Sequence, residues 1–455
     1  MATEAAGRHD FEAAAAQLRA LDRAPGDQEL SRDALEAMAE PRLVTEIPGP
    51  KARALIEADH KVTSPSLPRA YPFAPARGAG SMLEDVDGNV FLDFNAGIAV
   101  CSTGHAHPAV VSAIQRQAER LLHYSGGDFY LAVYAEVCAE LDRLASVCGP
   151  ARTFLTNSGT EAVEAAIKLA RNSTRRQYLI AFIGGFHGRS YGSVSLTASK
   201  AKYHEGFGPL LPGILHAPYG VPPSEWIEPV LFKRLVPPGE VAAIVVEPIQ
   251  GEGGYVVPPA GWLSEIRELC DRHGILLVAD EIQTGMGRTG RMWAMEHDGV
   301  TPDILLVGKG IASGMPLGAM IARADVMTWD KGAHGSTYAG NPVCCASALA
   351  TFELLEGGLV ENAATIGQTL IDGLTKIAAR RPAIREVRGR GLMIGVDFAD
   401  EHAADAVELA CLRRGLLVLR AGDHAIRLAP PLVLRRDQAE VGLRIFEEAV
   451  SEVAG

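Results

Sequence analysis

The chain has 455 residues, 47% of them hydrophobic and 22% charged, with a formal net charge of −12. That apolar content suffices for a large core, and the length is too great for one simple domain. The acidic balance argues against nucleic acid or an anionic membrane as partner, but leaves small ligands open, because a basic pocket can sit in an acidic protein.

The first residues are alanine-rich and mixed in charge, without an uninterrupted apolar signal core. Residues 10–23 fit a short amphipathic helix or a mobile tail, and residues 1–40 together read as an appendage. No run of 18 consecutive apolar residues occurs, so no membrane span is expected and the cytoplasm is the expected location. Pro48, Pro50, Pro65, Pro68, Pro72 and Pro75 break up the next stretch and predict extended arms or short helices. Residues 81–97 read as a hairpin turning at Asp87-Gly88.

From about residue 109 the periodicity changes. Helical spacing covers 107–125 and 134–147, and 151–172 reads as a short strand, a polar turn and a helix. Apolar strand-like runs follow at 177–185, 213–220, 241–249, 275–282 and 303–309, with a helix over 259–274. Short, nearly continuous apolar strands separated by helices indicate an α/β sheet covered on both faces. Near 345 the pattern shifts again. A long helical stretch runs over 344–381, strand-like segments occupy 384–398 and 425–434, and a helix lies between them at 402–415. This portion reads as a smaller α+β domain.

Polar residues end several of the apolar runs: Glu247, the Asp280-Glu281 pair and Lys309. In α/β folds such strand ends converge on the ligand crevice. From spacing alone, a buried ion pair explains them equally well. Ser158, Gly159 and Thr160 stand where a strand-like run passes into a helix, a place where unpaired N–H groups can meet a phosphate. A plain helix cap by Ser158 or Thr160, with Glu161 near the start, explains much of the same pattern. The seven cysteines include no CxxC pair, and Cys344 and Cys345 are adjacent, which fits small buried thiols in a reducing compartment. His105 and His107 have no third ligand nearby and read as turn and packing residues, so no metal is expected.

The segment 275–320, ILLVADEIQTGMGRTGRMWAMEHDGVTPDILLVGKGIASGMPLGAM, joins a carboxylate strand, a glycine-rich turn and Lys309. With NSGTEAVEAAIKLAR, FIGGFHGRSYGSVSLT, VVEPIQGEGG, HGSTYAGNP and RGRGLMIGVDF, it resembles the ornithine and 4-aminobutyrate aminotransferase family, the class III aminotransferases. The resemblance runs from about 79 to 435 and leaves out the first forty residues.

The resemblance implies a pyridoxal 5'-phosphate (PLP) transferase of fold type I. Residues 109–344 would form the large, mostly parallel sheet domain; 41–108 would contribute an arm and hairpin to a small α+β domain completed by 345–455. It implies that Lys309 binds PLP covalently and later moves the substrate proton, and that Asp280 pairs with the pyridine nitrogen. Gln283 would lie by the ring oxygen, Phe186 on the ring face and His187 beside it, with Glu247 also in the cofactor site. Ser158, Gly159 and Thr160 would take the phosphate. Thr337 would reach the phosphate in a neighbouring subunit, making a homodimer or larger homo-oligomer with shared sites. Tyr71, Arg189, Glu252 and Arg427 would face the substrate: Arg189 gripping a carboxylate, Glu252 gating Arg427. The expected reaction moves an amino group from an ω- or α-amino acid to 2-oxoglutarate. Some similar proteins are amino-acid racemases using the same lysine; the presence of both Arg189 and Glu252 favours transfer.

Overall fold

The computed structural model describes residues 14–16, 18–19, 30–147 and 149–454. Most of the helix or tail expected over 10–23 lies outside the described residues; residues 14–16 and 18–19 are helical. The segment from residue 30 onward is packed on the body. Leu35 of the helix Arg32–Ala37 is buried in the main core, and the Arg435 guanidinium donates to the carbonyls of Glu36, Ala37 and Met38. The expected appendage is therefore not uniform up to residue 40.

Strands β1 (Pro75–Ala79), β2 (Met82–Asp85) and β3 (Val90–Asp93) form an antiparallel meander. The β2–β3 turn falls at the expected Asp87-Gly88, with Gly88 at φ 87°, a conformation that suits a residue without Cβ. Asp87 also accepts from the backbone N–H groups of Lys51 and Ala52, capping the helix Pro50–Val62.

The central sheet contains β4 (Ala151–Thr156), β5 (Tyr178–Phe182), β6 (Ile214–Ala217), β7 (Val241–Val246), β8 (Leu276–Asp280), β9 (Ile304–Val307) and β10 (Gly318–Arg323). Its order is β4-β10-β9-β8-β7-β5-β6. Strands β9, β8, β7, β5 and β6 are parallel, and β10 runs antiparallel to both its neighbours. Alternation explains why these strands are apolar throughout. Leu277, Ala279, Leu305 and Val307 enter one core with the helix Trp262–His273; Leu276, Val278, Ile304 and Leu306 enter another under the helix Gly159–Thr174. Their carboxyl ends, at Glu247, Asp280 and Lys309, share one edge of the sheet.

The long helical stretch is not one helix. Pro342–Leu354 ends in a widened turn over Leu355–Leu359, with Gly358 at φ 128°, and Val360–Ala378 follows. Pro342–Leu354 packs on the helices Pro108–Arg120 and Ala132–Leu144. By length and composition Pro342–Ala378 is apolar enough to cross a membrane, with mean hydropathy 1.5. Its Cys345, Ala348, Phe352, Ile366 and Leu370 are buried in the main core.

The C-terminal sheet has β11 (Ile384–Arg390), β12 (Met393–Phe398), β14 (Leu419–Ala421) and β15 (Ala425–Leu428), while β13 (Leu416–Leu417) lies parallel to β3. This last pairing ties the N-terminal meander to the C-terminal unit. The helix Arg436–Ala454, unrecognised in the sequence, closes the fold.

Candidate active site

Lys309 stands two residues past the end of β9, and its backbone sits at φ 44°, left-handed for a residue with a Cβ. Such conformations cost about 1–3 kcal/mol and persist where surrounding structure enforces them. Gly308 just before it lies 3.4 Å, measured from where its Cβ would stand, from the Gly159 Cα. The loop after β9 is thus pressed on the start of the helix Gly159–Thr174, and a side chain at 159 would meet Ile282 at 2.8 Å. The Lys309 side chain is only partly exposed and is sunk in protein. Burial and the Arg427 charge pull its ammonium down to about 8, against Glu247, Asp280 and Glu252.

Asp280, buried at the end of β8, accepts from Ile282 N–H and shares a 2.7 Å hydrogen bond with His187 Nδ1. Burial alone would lower the His187 pKa, but the bond to Asp280 and the charges of Asp280 and Glu247 raise it. The neighbouring carboxylates separate in role. Glu281 turns away and accepts from Thr284 Oγ1 and the N–H groups of Ala294 and Met295. Burial pushes it up to about 7.

Glu247 is also pushed up to about 7 by burial. Its oxygens accept from the N–H groups of Phe186 and Gly251 at 2.8 and 2.9 Å, so it braces two loops at the cleft. Gln283 Oε1 accepts from the buried Tyr255 hydroxyl at 2.9 Å.

Ser158 caps its helix by accepting from Glu161 N–H, while Glu161 accepts from the backbone and side-chain amides of Asn157. The capping explanation and the anion-site explanation are compatible: the cap orders the first turn, whose N–H groups at Gly159 and Thr160 have no carbonyl inside the helix. The Thr160 hydroxyl is occupied within the chain, bonded to Ser190 Oγ at 2.7 Å and Ser193 Oγ at 2.5 Å. Glu164 accepts from Ser190 Oγ and from the N–H groups of Gly192 and Ser193, which fixes the loop carrying Arg189 to this helix.

Across the cleft, Arg427 on β15 is buried, and its Nη1 donates to Glu252 Oε2 at 3.4 Å. Glu252 Oε1 accepts from Lys200 Nζ at 3.2 Å and the Tyr203 hydroxyl at 3.1 Å. Although burial would raise it, Arg427 and Lys200 hold the Glu252 carboxyl below its usual range. Arg189 is exposed, with its guanidinium 4.5 Å from the centroid of the Tyr203 ring, and Phe186 meets that ring edge-on at 5.7 Å. Lys200, Tyr203 and Tyr255 were not singled out in the sequence. Their context, TASKAKYHEG for the first pair, looks like ordinary polar surface.

Tyr71 packs beside the Phe91–Leu412–Leu417 cluster; burial raises its phenol, with Asp93 and Glu408 adding and Arg427 opposing. Thr337 is exposed on a loop whose Ser336 Oγ bonds to Asn157 Nδ2 of the same chain at 3.1 Å. His105 Nε2 bonds to Asp93 at 2.7 Å, and His107 accepts from Ala109 N–H at the start of Pro108–Arg120, both local structural tasks.

These residues fit PLP. A helix start with room for close approach suits a phosphate, a buried carboxylate suits a pyridine nitrogen, and an amine near pKa 8 at a strand end suits an aldehyde. A lysine and a carboxylate so placed on this sheet, with a second small domain over the cleft, define a fold type I PLP-dependent transferase. The Aminotransferase class-III family model matches residues 66–450, and the chain belongs to that family. It is 39% identical to an alanine/serine racemase of Pyrococcus horikoshii, covering 91% of this chain and 94% of that one. It is 43% identical to an acetylornithine aminotransferase of Methanopyrus kandleri, covering 88% and 98%, and 38% identical to a 4-aminobutyrate aminotransferase of Mycobacterium tuberculosis, covering 89% and 96%. The ornithine aminotransferase structure of Toxoplasma gondii superposes with a TM-score of 0.82 at 33% identity, covering 90% and 96%.

Proposed function

We propose that this enzyme moves an amino group from an ω- or α-amino acid of the 4-aminobutyrate or ornithine type to 2-oxoglutarate, working as a homodimer. The observation that carries this reading is the arrangement of Arg189, Glu252 and Arg427. 2-Oxoglutarate has two carboxylates, whereas an ω-amino donor has none on its reacting carbon. Two permanently free arginines would leave one charge unpaired with such a donor, a costly state in a poorly solvated cleft. Glu252 already pairs with Arg427 in this structure and supplies that charge. Arg189 remains available to a far carboxylate, in the fork geometry that guanidinium groups favour.

PLP, when bound, supplies the electron sink that lets an amine-bearing carbon lose a proton. The start of Gly159–Thr174 would hold its phosphate, Asp280 its pyridine nitrogen, Gln283 its ring oxygen, Phe186 one ring face and Lys309 its aldehyde carbon. Lys309 takes the proton from the amine-bearing carbon and hands it on, a task suited to a lysine whose ammonium is held near neutrality. His187 orients Asp280 from behind, and Glu247 keeps the Phe186 and Gly251 loops in place.

Exposed apolar side chains near Thr337 in the sequence and in the 122–130 segment support the dimer. Leu122, Tyr124, Phe129, Tyr130 and Tyr338 are exposed; the His123 and Tyr338 rings, 4.8 Å apart, join the segment carrying Thr337 to the first four, and the Tyr124 and Phe129 rings lie 4.6 Å apart. Thr337 would complete a neighbour's phosphate site from this face.

Racemisation is the second reading, favoured by the likeness to the Pyrococcus horikoshii protein. The two are separated by L- and D-amino acids, 4-aminobutyrate, ornithine and N-acetylornithine, each incubated with and without 2-oxoglutarate. Glutamate formed only with the oxo acid supports transfer. Interchange of L and D forms without it, and negligible glutamate with it, establishes the racemase.

A further inference from the structure

The Glu252 gate is bound on both sides. One oxygen accepts from Arg427; the other accepts from Lys200 and Tyr203, and the Arg427 contact is the longest of the three at 3.4 Å. The backbone beneath is pinned. Glu252 carbonyl accepts from Gly422 N–H at 2.7 Å, Gly251 N–H donates to Glu247, and a Cβ at Gly253 would meet the Gly184 carbonyl at 2.6 Å. Arg388 donates to the Gly254 carbonyl at 2.8 Å. A gate that opened by moving its loop would break all of these. Arg427, for its part, is poised to take a new partner: its Nε is buried without a hydrogen-bond partner among the described residues.

Resting on the transfer reading above, we infer that Lys200 and Tyr203 are the open-state latch of the gate: Glu252 releases Arg427 by a small carboxylate rotation about its anchored oxygen. The latch is a pair of positioning residues, acting on substrate through Glu252. Its two members differ. Lys200 supplies charge from the solvent side, with its side chain 29% exposed. Tyr203 supplies a neutral donor, its phenol pushed up to about 12 by burial and the Glu252 charge, so it stays protonated across the working pH range. Because Arg189 rests on the Tyr203 ring, the residue that anchors the open gate also sets the height of the arginine proposed for the far carboxylate. Weakening the latch leaves Arg427 as the strongest remaining partner of Glu252. The gate then closes more firmly, and ligands that need Arg427 for an α-carboxylate bind less well.

The test uses PLP-loaded dimer and 2-methylglutamate, an α-amino dicarboxylate without an α-proton, with dissociation constants read from the visible absorption change. Lys200→Met should weaken its binding about three- to tenfold, the range expected for losing one partly exposed ion pair. Tyr203→Phe should act in the same direction, Glu252→Ala should tighten binding, and Lys200→Arg should restore it. In a Glu252→Ala background, Lys200→Met should have no further effect. Equal weakening in both backgrounds would mean that Lys200 meets the ligand directly, and no weakening in either would mean that no latch exists; each overturns the inference. The half-reaction with 4-aminobutyrate, followed on the same samples, keeps the two ideas apart. If the wild-type protein gives no half-reaction with any amine, the transfer reading fails, while the 2-methylglutamate comparison still decides the latch.

Discussion

At the scale of single residues, the proposed chemistry rests on two side chains at adjacent strand ends. Replacing Lys309 with alanine should lower turnover at least about a thousandfold and abolish borohydride-stable attachment of PLP. The depressed Lys309 pKa gives this a pH signature. Only the neutral amine attacks an aldehyde, and the neutral fraction rises with pH up to about 8. Covalent capture of PLP by cofactor-free protein should therefore speed up about tenfold per pH unit below that value and level off above it, as stopped-flow absorbance would show. A rate indifferent to pH between 6 and 8, roughly, would contradict the assignment. Asp280→Asn should reduce turnover about a hundredfold or more. It should also remove the Asp280 charge that helps raise His187, leaving Glu247 alone against burial, so that the His187 pKa falls, which NMR of the imidazole can follow. Lys309 and Asp280 are legible in the sequence because each ends an apolar run, and because a family motif surrounds them. Lys200 and Tyr203 are not, because a residue's approach to Glu252 depends on how the segment after Arg189 folds back over the cleft. No local pattern encodes that.

At the scale of elements, apolar strands with polar ends are the readable part. Strands β4 to β9 stand where the runs predict them. Strand β10 does not announce itself: its GAMIAR sequence is short and rich in small residues, and it is fixed by pairing between β4 and β9. The C-terminal helix does carry a helical repeat, with Ala439, Gly442, Phe446 and Ala449 buried, but the charges between them dilute it. The break at Gly357-Gly358 is invisible in a helical repeat that continues across it. A glycine in that break and one in the helix after it should respond oppositely to substitution. A Cβ at Gly367, in Val360–Ala378, would run into the Gly391 backbone of the β11–β12 turn. Gly367→Ala should thus cost about 3 kcal/mol in chemical denaturation. Gly357 has open space around it, and Gly357→Ala should be neutral or stabilising by up to about 1 kcal/mol. Equal effects at both would show that the helix–turn contact is not where the packing places it.

At the scale of the whole molecule, neither the sequence nor a single chain contains the complete site proposed here. Family motifs point to Thr337, and the folded chain leaves it on the surface beside exposed aromatic side chains. Charged replacement of Tyr130, fully exposed in the monomer, should weaken self-association and PLP retention together in sedimentation measurements. A stable monomer that keeps its PLP would refute the shared site. Amino transfer through Lys309 is tested most directly by a half-reaction without acceptor. Donor amine is added to PLP-loaded protein, and the visible band is followed until 2-oxoglutarate is supplied. The band should disappear in proportion to the amine consumed, and return with one glutamate formed for each site. A band that persists while L- and D-amino acids interconvert would contradict it.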